Sequence, residues 1–251
     1  MRESDRAATA RQGPVLVTGG AGGIGLSISR RLLEAGHDVV MVGRRDPSQL
    51  SGLDSATVRW LACDLGDSQA VEMLCATLQQ ERLGFHGLVH CAGVSLDALA
   101  AVADLEAARR MMQINFWSFV QLYQAVIRSM STRRAGRIVC IGSVAADFGM
   151  KGNTLYAASK GALRAFVRSC MTELAGRDIT INCIEPGYID TALVERYAER
   201  RAELDRHIPA GRFGQPDEIA GLVGFLFSDA GSYINGQCLV ADGGLSRSLS
   251  R

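Results

Sequence analysis

From residue 14 onward the chain alternates short apolar runs with amphipathic stretches, and this alternation narrows the possible folds more than any other feature. "PVLVTG" reads as a strand, followed by a glycine-rich turn and the amphipathic helix "IGLSISRRLLEAG". In that helix Ile28, Leu32 and Leu33 point inward, and Gly36 stands where a left-handed C-cap belongs. "HDVVMVG" and "TVRWLACDL" read as the second and third strands, a helix is predicted over about 68–82, and "GLVHCAG" is the fourth strand. A long helix is predicted over roughly 103–132, followed by "GRIVCIGS" as the fifth strand and "YAASKGALRAFVRSCMTELAG" as another helix. "ITINCIEPG" and "GQCLVADGG" complete the set as strands six and seven. Strands that are apolar on both faces and separated by helices imply a parallel sheet covered on both sides.

The expected architecture is therefore α/β: a single doubly wound Rossmann-type domain whose seven-stranded parallel sheet is flanked by helices on both faces. At 251 residues, 47% of them hydrophobic, the chain can fill such a core as one unit. The domain is expected over 14–246, with a flexible tail at 1–13 and another at 247–251. No apolar run approaches the ~18 residues of a membrane span, and "MRESDRAATARQ" lacks the apolar core of a signal peptide. A soluble, cytoplasmic protein with no membrane contact is expected. A net charge of +1 argues against nucleic acid as a partner, since neutralising phosphates requires a concentrated basic face. Cys63, Cys75, Cys91, Cys140, Cys170, Cys183 and Cys238 form no C-x-x-C pair, which fits reduced core thiols.

"TGGAGGIG", residues 18–25, falls directly between the first strand and the first helix. Glycines there let the backbone approach a pyrophosphate, and the helix N-terminus offers unpaired N–H groups and partial positive charge. The turn therefore reads as a dinucleotide cradle of Thr18, Gly19, Gly20, Gly22, Gly23, Ile24 and Gly25. Two spacings fit it, 19/23/25 and 19/22/25. At the end of the second strand, where an acidic residue would hold the 2′-hydroxyl of NAD, the chain reads Gly43-Arg44-Arg45. A guanidinium pairs with a 2′-phosphate, so NADP(H) is favoured over NAD(H); Asp46 would reverse that preference if the turn is longer. Asp64, followed by Leu65, is placed either to bind the adenine amino group or to cap the next helix.

Tyr156 and Lys160 stand four apart in a helix, so one lies above the other. A phenol ordinarily titrates near ~10, and an adjacent ammonium favours the phenolate. The pair reads as an acid/base catalyst. His86 and His90 straddle a strand start rather than sharing a helix face, and no metal site is expected.

Together, Thr18-Gly19…Gly23-Ile24-Gly25, Asn115, Ser143, Tyr156-x-x-x-Lys160, Pro186-Gly187 with Thr191, and the ending "GQCLVADGG" resemble the short-chain dehydrogenase/reductase family over residues 14–246. Within the family, "IPAGRFGQPDEIAGLVGFLFSDAGSYINGQ" is most similar to the segment that closes 3-oxoacyl-[acyl-carrier-protein] reductases. The resemblance implies that Ser143 hydrogen-bonds a substrate carbonyl and that Tyr156 donates the proton as hydride arrives from the nicotinamide. It implies further that Lys160 tunes Tyr156 and holds the ribose, and that Asn115 keeps a water in a proton relay. It places Cys91, Ala92 and Gly93 beside the adenosine ribose. Pro186, Gly187, Ile189 and Thr191 would lie along the nicotinamide, although a helix cap is open for Thr191. Members usually read Asn-Asn-Ala-Gly after the fourth strand; here it is His90-Cys91-Ala92-Gly93, and His90 is expected to serve as a hydrogen-bonding strut.

The implied activity is NADPH-dependent reduction of a 3-oxoacyl thioester. The alternatives are a dehydrogenase of a small alcohol, sugar or steroid, and a non-catalytic nucleotide-binding regulator. Arg134 and Arg177 match positions where such reductases present arginines near the active-site mouth, fit to dock an acidic carrier protein. The charged helix 192–206 would be a lid over the substrate. Apolar residues on more than one helix face, including Phe116, Phe119, Tyr123, Phe166 and Met171, point to a homotetramer or homodimer.

Overall fold

The computed structural model describes residues 13–46, 53 and 56–248. Apart from Gly13, Arg247 and Ser248, the two expected tails lie outside the described residues. Seven parallel strands form one sheet in the order β3-β2-β1-β4-β5-β6-β7: β1 Val15–Thr18, β2 Val39–Gly43, β3 Val58–Ala62, β4 Gly87–His90, β5 Ala135–Ile141, β6 Asp178–Pro186 and β7 Cys238–Ala241. Every strand expected from the sequence is present. Successive residues of a buried parallel strand face opposite layers, and the core divides accordingly. Val15 and Val17 pack toward α1 (Gly23–Glu34) and α7 (Pro216–Phe227). Leu16, Leu88 and Ile138 pack toward α2 (Ser68–Glu81), α4 (Ser118–Arg133) and α5 (Thr154–Glu173).

α1 shows how local sequence sets an element. Ile28 and Leu32 are fully buried, each worth about 1.5–3 kcal/mol of burial. Past Ala35, Gly36 turns left-handed at φ +87°, and the N–H groups of His37 and Gly36 donate to Leu32 and Leu33 carbonyls at 3.0 and 2.9 Å. This paired arrangement closes a helix with glycine.

The helix expected over 103–132 is continuous but not uniform. α3 (Leu105–Met112) passes through a π turn at Gln113–Trp117 before α4, and the Ser118 N–H reaches back to the Gln113 carbonyl. One extra residue per turn shifts the helix phase. As a result Phe119 and Tyr123 face inward, where they meet Phe166 at 5.4 Å each between α4 and α5. Phe116 and Met171 also pack against that core. Of the residues expected on more than one helix face, the aromatic ones are thus interior; along α3–α4 it is Leu105 and Trp117, 61% and 52% exposed, that face outward. The expected lid helix is also split: a 3₁₀ segment, Ala192–Arg200, leads into α6, Arg201–His207. A threefold repeat puts Val194 and Tyr197 on one face, over the cavity described below. Among the described residues no helix is long and apolar enough to cross a membrane.

Candidate active site

Strand order reverses between β1 and β4, and the crevice beyond their carboxyl ends is where α/β sheets bind ligands. Thr18 ends β1 and His90 ends β4 at the same register. The Thr18 hydroxyl oxygen accepts the N–H groups of Cys91 and Ala92 at 3.1 Å each, so its proton goes to His90 Nδ1, 3.0 Å away. His90 is therefore the neutral Nε2–H tautomer, and burial, followed by the Lys160 charge, pushes it down to about 3. The expected strut is present, with Thr18 as its partner.

The glycine turn occupies the other side of the crevice. Gly19 and Gly23 have φ of +66° and +47°, and a Cβ on Gly25 would stand 2.2 Å from the Gly19 carbonyl oxygen. Gly22 is extended and opens onto free space. Of the two spacings the sequence allowed, 19/23/25 is the one the backbone requires. No side chain caps α1 and its first turn carries no acid, leaving the N–H groups beside Ile24 available to an outside anion. A Cβ on Gly19 would lie 3.1 Å from Ala92, and one on Gly23 would lie 3.3 Å from the Thr191 methyl. The turns after β1, β4 and β6 thus converge. Gly20 packs on Ser29 and Met41.

Asp64 performs neither of its expected roles in simple form. Its Oδ1 accepts the Gly66 N–H at 2.9 Å and its Oδ2 pairs with Arg110 at 2.6 Å, which holds its carboxyl below the usual range. The cap of α2 is Asp67, which accepts Gln69 and Ala70 N–H groups. Leu65 is buried, and Arg44 and Arg45 are exposed beyond Gly43.

Ser143 and Tyr156 line one narrow cavity of about 80 Å³, whose wall also includes Gly187 and Tyr188, with Val144, Phe148 and Leu193 supplying apolar surface. Lys160 is 3% exposed; its Nζ donates to the Ile141 carbonyl at 2.8 Å and lies 5.8 Å from the Tyr156 ring centroid. A Cβ on Gly93 would stand 3.2 Å from that Nζ. Asn115, fully buried in the π turn, gives its amide protons to the Val94 carbonyl and Ser159 Oγ, both at 2.9 Å, and accepts the Val94 N–H. Both amide protons are thereby taken up, so the side chain braces the β4 loop against α5, and only an Oδ1 lone pair is left for any relay. Ser143 Oγ also accepts the Ala145 N–H at 3.1 Å, which fixes its position. Thr191 precedes the 3₁₀ segment without capping it; its hydroxyl meets the Ile189 carbonyl at 3.3 Å. Ile189 is buried, and Pro186 ends β6.

Arg134 and Arg177 depart from expectation. They sit immediately before β5 and β6, at the opposite end of the sheet from Ser143. Seven residues of strand separate the two ends by roughly 23 Å. Arg134 donates to the Gly176 carbonyl and Arg177 to the Glu173 carbonyl. They do not flank this chain's own cavity. His86 is also far from His90: it stacks on His37 at 5.5 Å against Phe227, while His90 packs on Phe119.

Three features had no signal in the sequence. Asn153 is buried with its Oδ1 unpartnered and lines the cavity. Arg201 clamps Asp190 through two contacts of 2.8 and 3.0 Å and lies over Phe213, tying α6 to the turn after β6. Glu185, fully buried, pairs with Arg164 at 2.8 Å.

A doubly wound sheet with a glycine turn at its switch point, and a serine and tyrosine facing a cavity above a buried lysine, is the framework of a dinucleotide-dependent oxidoreductase. A family model described as Enoyl-(Acyl carrier protein) reductase, of the short-chain dehydrogenase type, matches residues 19–246. The chain is 36% identical over 234 residues to the 3-oxoacyl-[acyl-carrier-protein] reductase MabA of Mycobacterium tuberculosis, covering 92% of each. It is 34% identical to the corresponding reductase FabG of Salmonella typhimurium, covering 92% of this chain and 96% of that one. Among solved structures, a protein from Beutenbergia cavernae described as an NAD(P)-dependent gluconate 5-dehydrogenase, with bound NADP, superposes with TM-score 0.88 at 32% identity, covering 95% and 98%. A single-substitution variant of actinorhodin polyketide ketoreductase with NADPH gives 0.87 at 28%, covering 96% and 100%. The chain belongs to the short-chain dehydrogenase/reductase family and is an oxidoreductase of that family.

Proposed function

We propose that the protein reduces the ketone of a 3-oxoacyl thioester to the 3-hydroxyacyl product, with NADPH as reductant. The observation that carries this reading is the convergence of Ser143 and Tyr156 on one narrow, largely apolar cavity that ends at Gly187, with Lys160 buried behind them. The uncapped α1 terminus and the close-packed glycines at 19, 23 and 25 fit a pyrophosphate. Arg44 and Arg45, beyond a second strand that ends without an acid, suit a 2′-phosphate. NADPH, when bound, supplies the hydride to the carbonyl carbon. Ser143 Oγ hydrogen-bonds the carbonyl oxygen and orients it. The Tyr156 hydroxyl gives that oxygen its proton, and Lys160, one proton engaged by Ile141, keeps two N–H groups for the ribose and the tyrosinate left behind. The apolar lining of Val144, Phe148 and Leu193 suits an acyl chain better than a polyol.

The test is NADPH consumption by the purified protein with acetoacetyl groups linked to carrier protein, coenzyme A and N-acetylcysteamine, beside gluconate-type and simple alcohols with NADP⁺. Turnover of the thioesters is expected; turnover of the polyols alone would move the reading to a sugar-acid dehydrogenase. Leu105 and Trp117 further support a homo-oligomer formed through the α3–α4 face, and light scattering of a stable monomer would contradict it.

A further inference from the structure

The parallel register of β5, β6 and β7 pairs Cys140 with Cys183 and Cys183 with Cys238, so three thiols cross the sheet in one row. Two residues along β6, on the same face, stands Glu185. Among the described residues, the sulfurs of Cys183 and Cys238 and one Glu185 oxygen all lie within 4.8 Å of one another. Glu185 is 0% exposed, and neither of its oxygens accepts a hydrogen bond. Its nearest compensating charge is Arg164, whose Nε approaches to 2.8 Å at an angle that leaves the Nε itself unbonded. A second Arg164 nitrogen is held by Asp147 at 3.0 Å.

We propose that Cys183, Glu185 and Cys238 form a binding site for a thiophilic divalent cation of the Zn²⁺ class. Two sulfurs and a carboxylate are a donor set that Zn²⁺ accepts, with bonds of about 2.0–2.3 Å. Tetrahedral bonds of that length place ligand atoms roughly 3.3–3.8 Å apart, so side-chain rotations of no more than about 1 Å close the site, and a water takes the fourth position. The charges balance: two thiolates, one carboxylate and a dication sum to −1, and Arg164 supplies +1. A buried Glu–Arg pair needs no sulfurs, whereas here two flank the carboxylate, one from its own strand and one from the neighbouring β7. Entry of the cation displaces both thiol protons, so affinity falls as pH falls. Glu185 directly precedes Pro186-Gly187, so occupancy stiffens the strand end from which the turn beside the cavity departs. The site stands independently of the substrate proposed above.

The test is titration of the metal-free, reduced protein with Co²⁺, read by thiolate-to-metal charge-transfer and tetrahedral visible bands. One equivalent is expected to bind and to be displaced by Zn²⁺. Cys238→Ser, on the edge strand, and Glu185→Gln are expected to abolish the one-equivalent tetrahedral spectrum, while Cys75→Ser, on α2, leaves it unchanged. Circular dichroism identifies folded variants, and Cys238→Ser decides the matter where Glu185→Gln does not fold. Absence of the bands in the parent protein, or their survival in folded Cys238→Ser, overturns the proposal.

Discussion

Thr18 and His90, at the ends of adjacent strands, are joined by a hydrogen bond of 3.0 Å in which the threonine donates and the histidine accepts. The same hydroxyl oxygen takes two backbone N–H groups from the turn after β4. One side chain thus closes the crevice floor, and its hydrogen-bond pattern dictates the tautomer of its partner.

The acid stability of the fold follows from the burial of His90 and two further groups. His90 and His86 are pushed down from 6.5 to about 3 and about 4, each chiefly by burial. Between pH 6.5 and about 4 the unfolded chain binds protons that the native histidines do not, so stability falls as pH falls. Glu185 acts with the opposite sign: raised from 4.5 to about 7, it binds a proton in the native state over that window and offsets one histidine. The net loss expected from these three groups is about 1.4 kcal/mol per pH unit between 6.5 and 4.5, becoming steeper just below 4.5. Urea unfolding at pH 7.0, 5.5 and 4.5 measures it, and His86→Phe should flatten the slope.

The glycine turn separates two substitutions that look alike in sequence. Gly25→Ala drives a Cβ into the Gly19 carbonyl and should cost about 1–3 kcal/mol or more, with loss of nucleotide binding. Gly22→Ala meets nothing within 4 Å at an extended residue, so the unliganded protein should keep its melting temperature within a degree or two. Thermal unfolding of both variants without nucleotide checks the contrast.

Removing the Tyr156 hydroxyl should lower kcat by roughly 10²–10⁴, the usual contribution of a positioned general acid. Nucleotide binding should change little, because the phenol meets the substrate cavity. Lys160→Met should weaken both, since its buried Nζ stands between the Ile141 carbonyl and the cleft. Steady-state kinetics with nucleotide titration in parallel distinguish the two.

Cofactor preference rests on the exposed pair after β2. Replacing Arg44 and Arg45 with serine should raise KM for NADPH roughly 10–100-fold, the scale of a lost charge-assisted hydrogen bond. KM for NADH should hardly move. A parallel rise for both cofactors would show that the arginines do not read the 2′-phosphate.

The central strands were legible because β1, β2 and β4, buried on both faces, are continuous apolar runs between turn residues, while the edge strands β3 and β7 are only partly buried. The glycine turn was legible by position, but only the backbone shows that Gly23, with its positive φ, and Gly25, against Gly19, are the constrained residues while Gly22 is free. Asp64 and Asp67 look equally suited to cap α2, and the ion pair to Arg110, contributed by α3, diverts the first. Which of Phe116, Phe119 and Tyr123 cover the sheet and which face outward was not legible, because a uniform helical repeat cannot register an added residue in one turn. The row of Cys140, Cys183 and Cys238 exists only through strand register, which sequence spacing does not encode.

The widened turn at Gln113–Trp117 divides one continuous rod into two halves rotated by about 100° relative to each other. Asn115 is turned inward to brace the crevice at the very step where Trp117 is turned outward to solvent. Deleting any one residue there would restore a regular spiral and rotate α3 by about 100° against α4, so that Asn115 and the Phe119–Tyr123 face could not both keep their present orientations. The irregularity is what lets one half of the rod be aimed at the cleft while the other half is aimed at the packed interior.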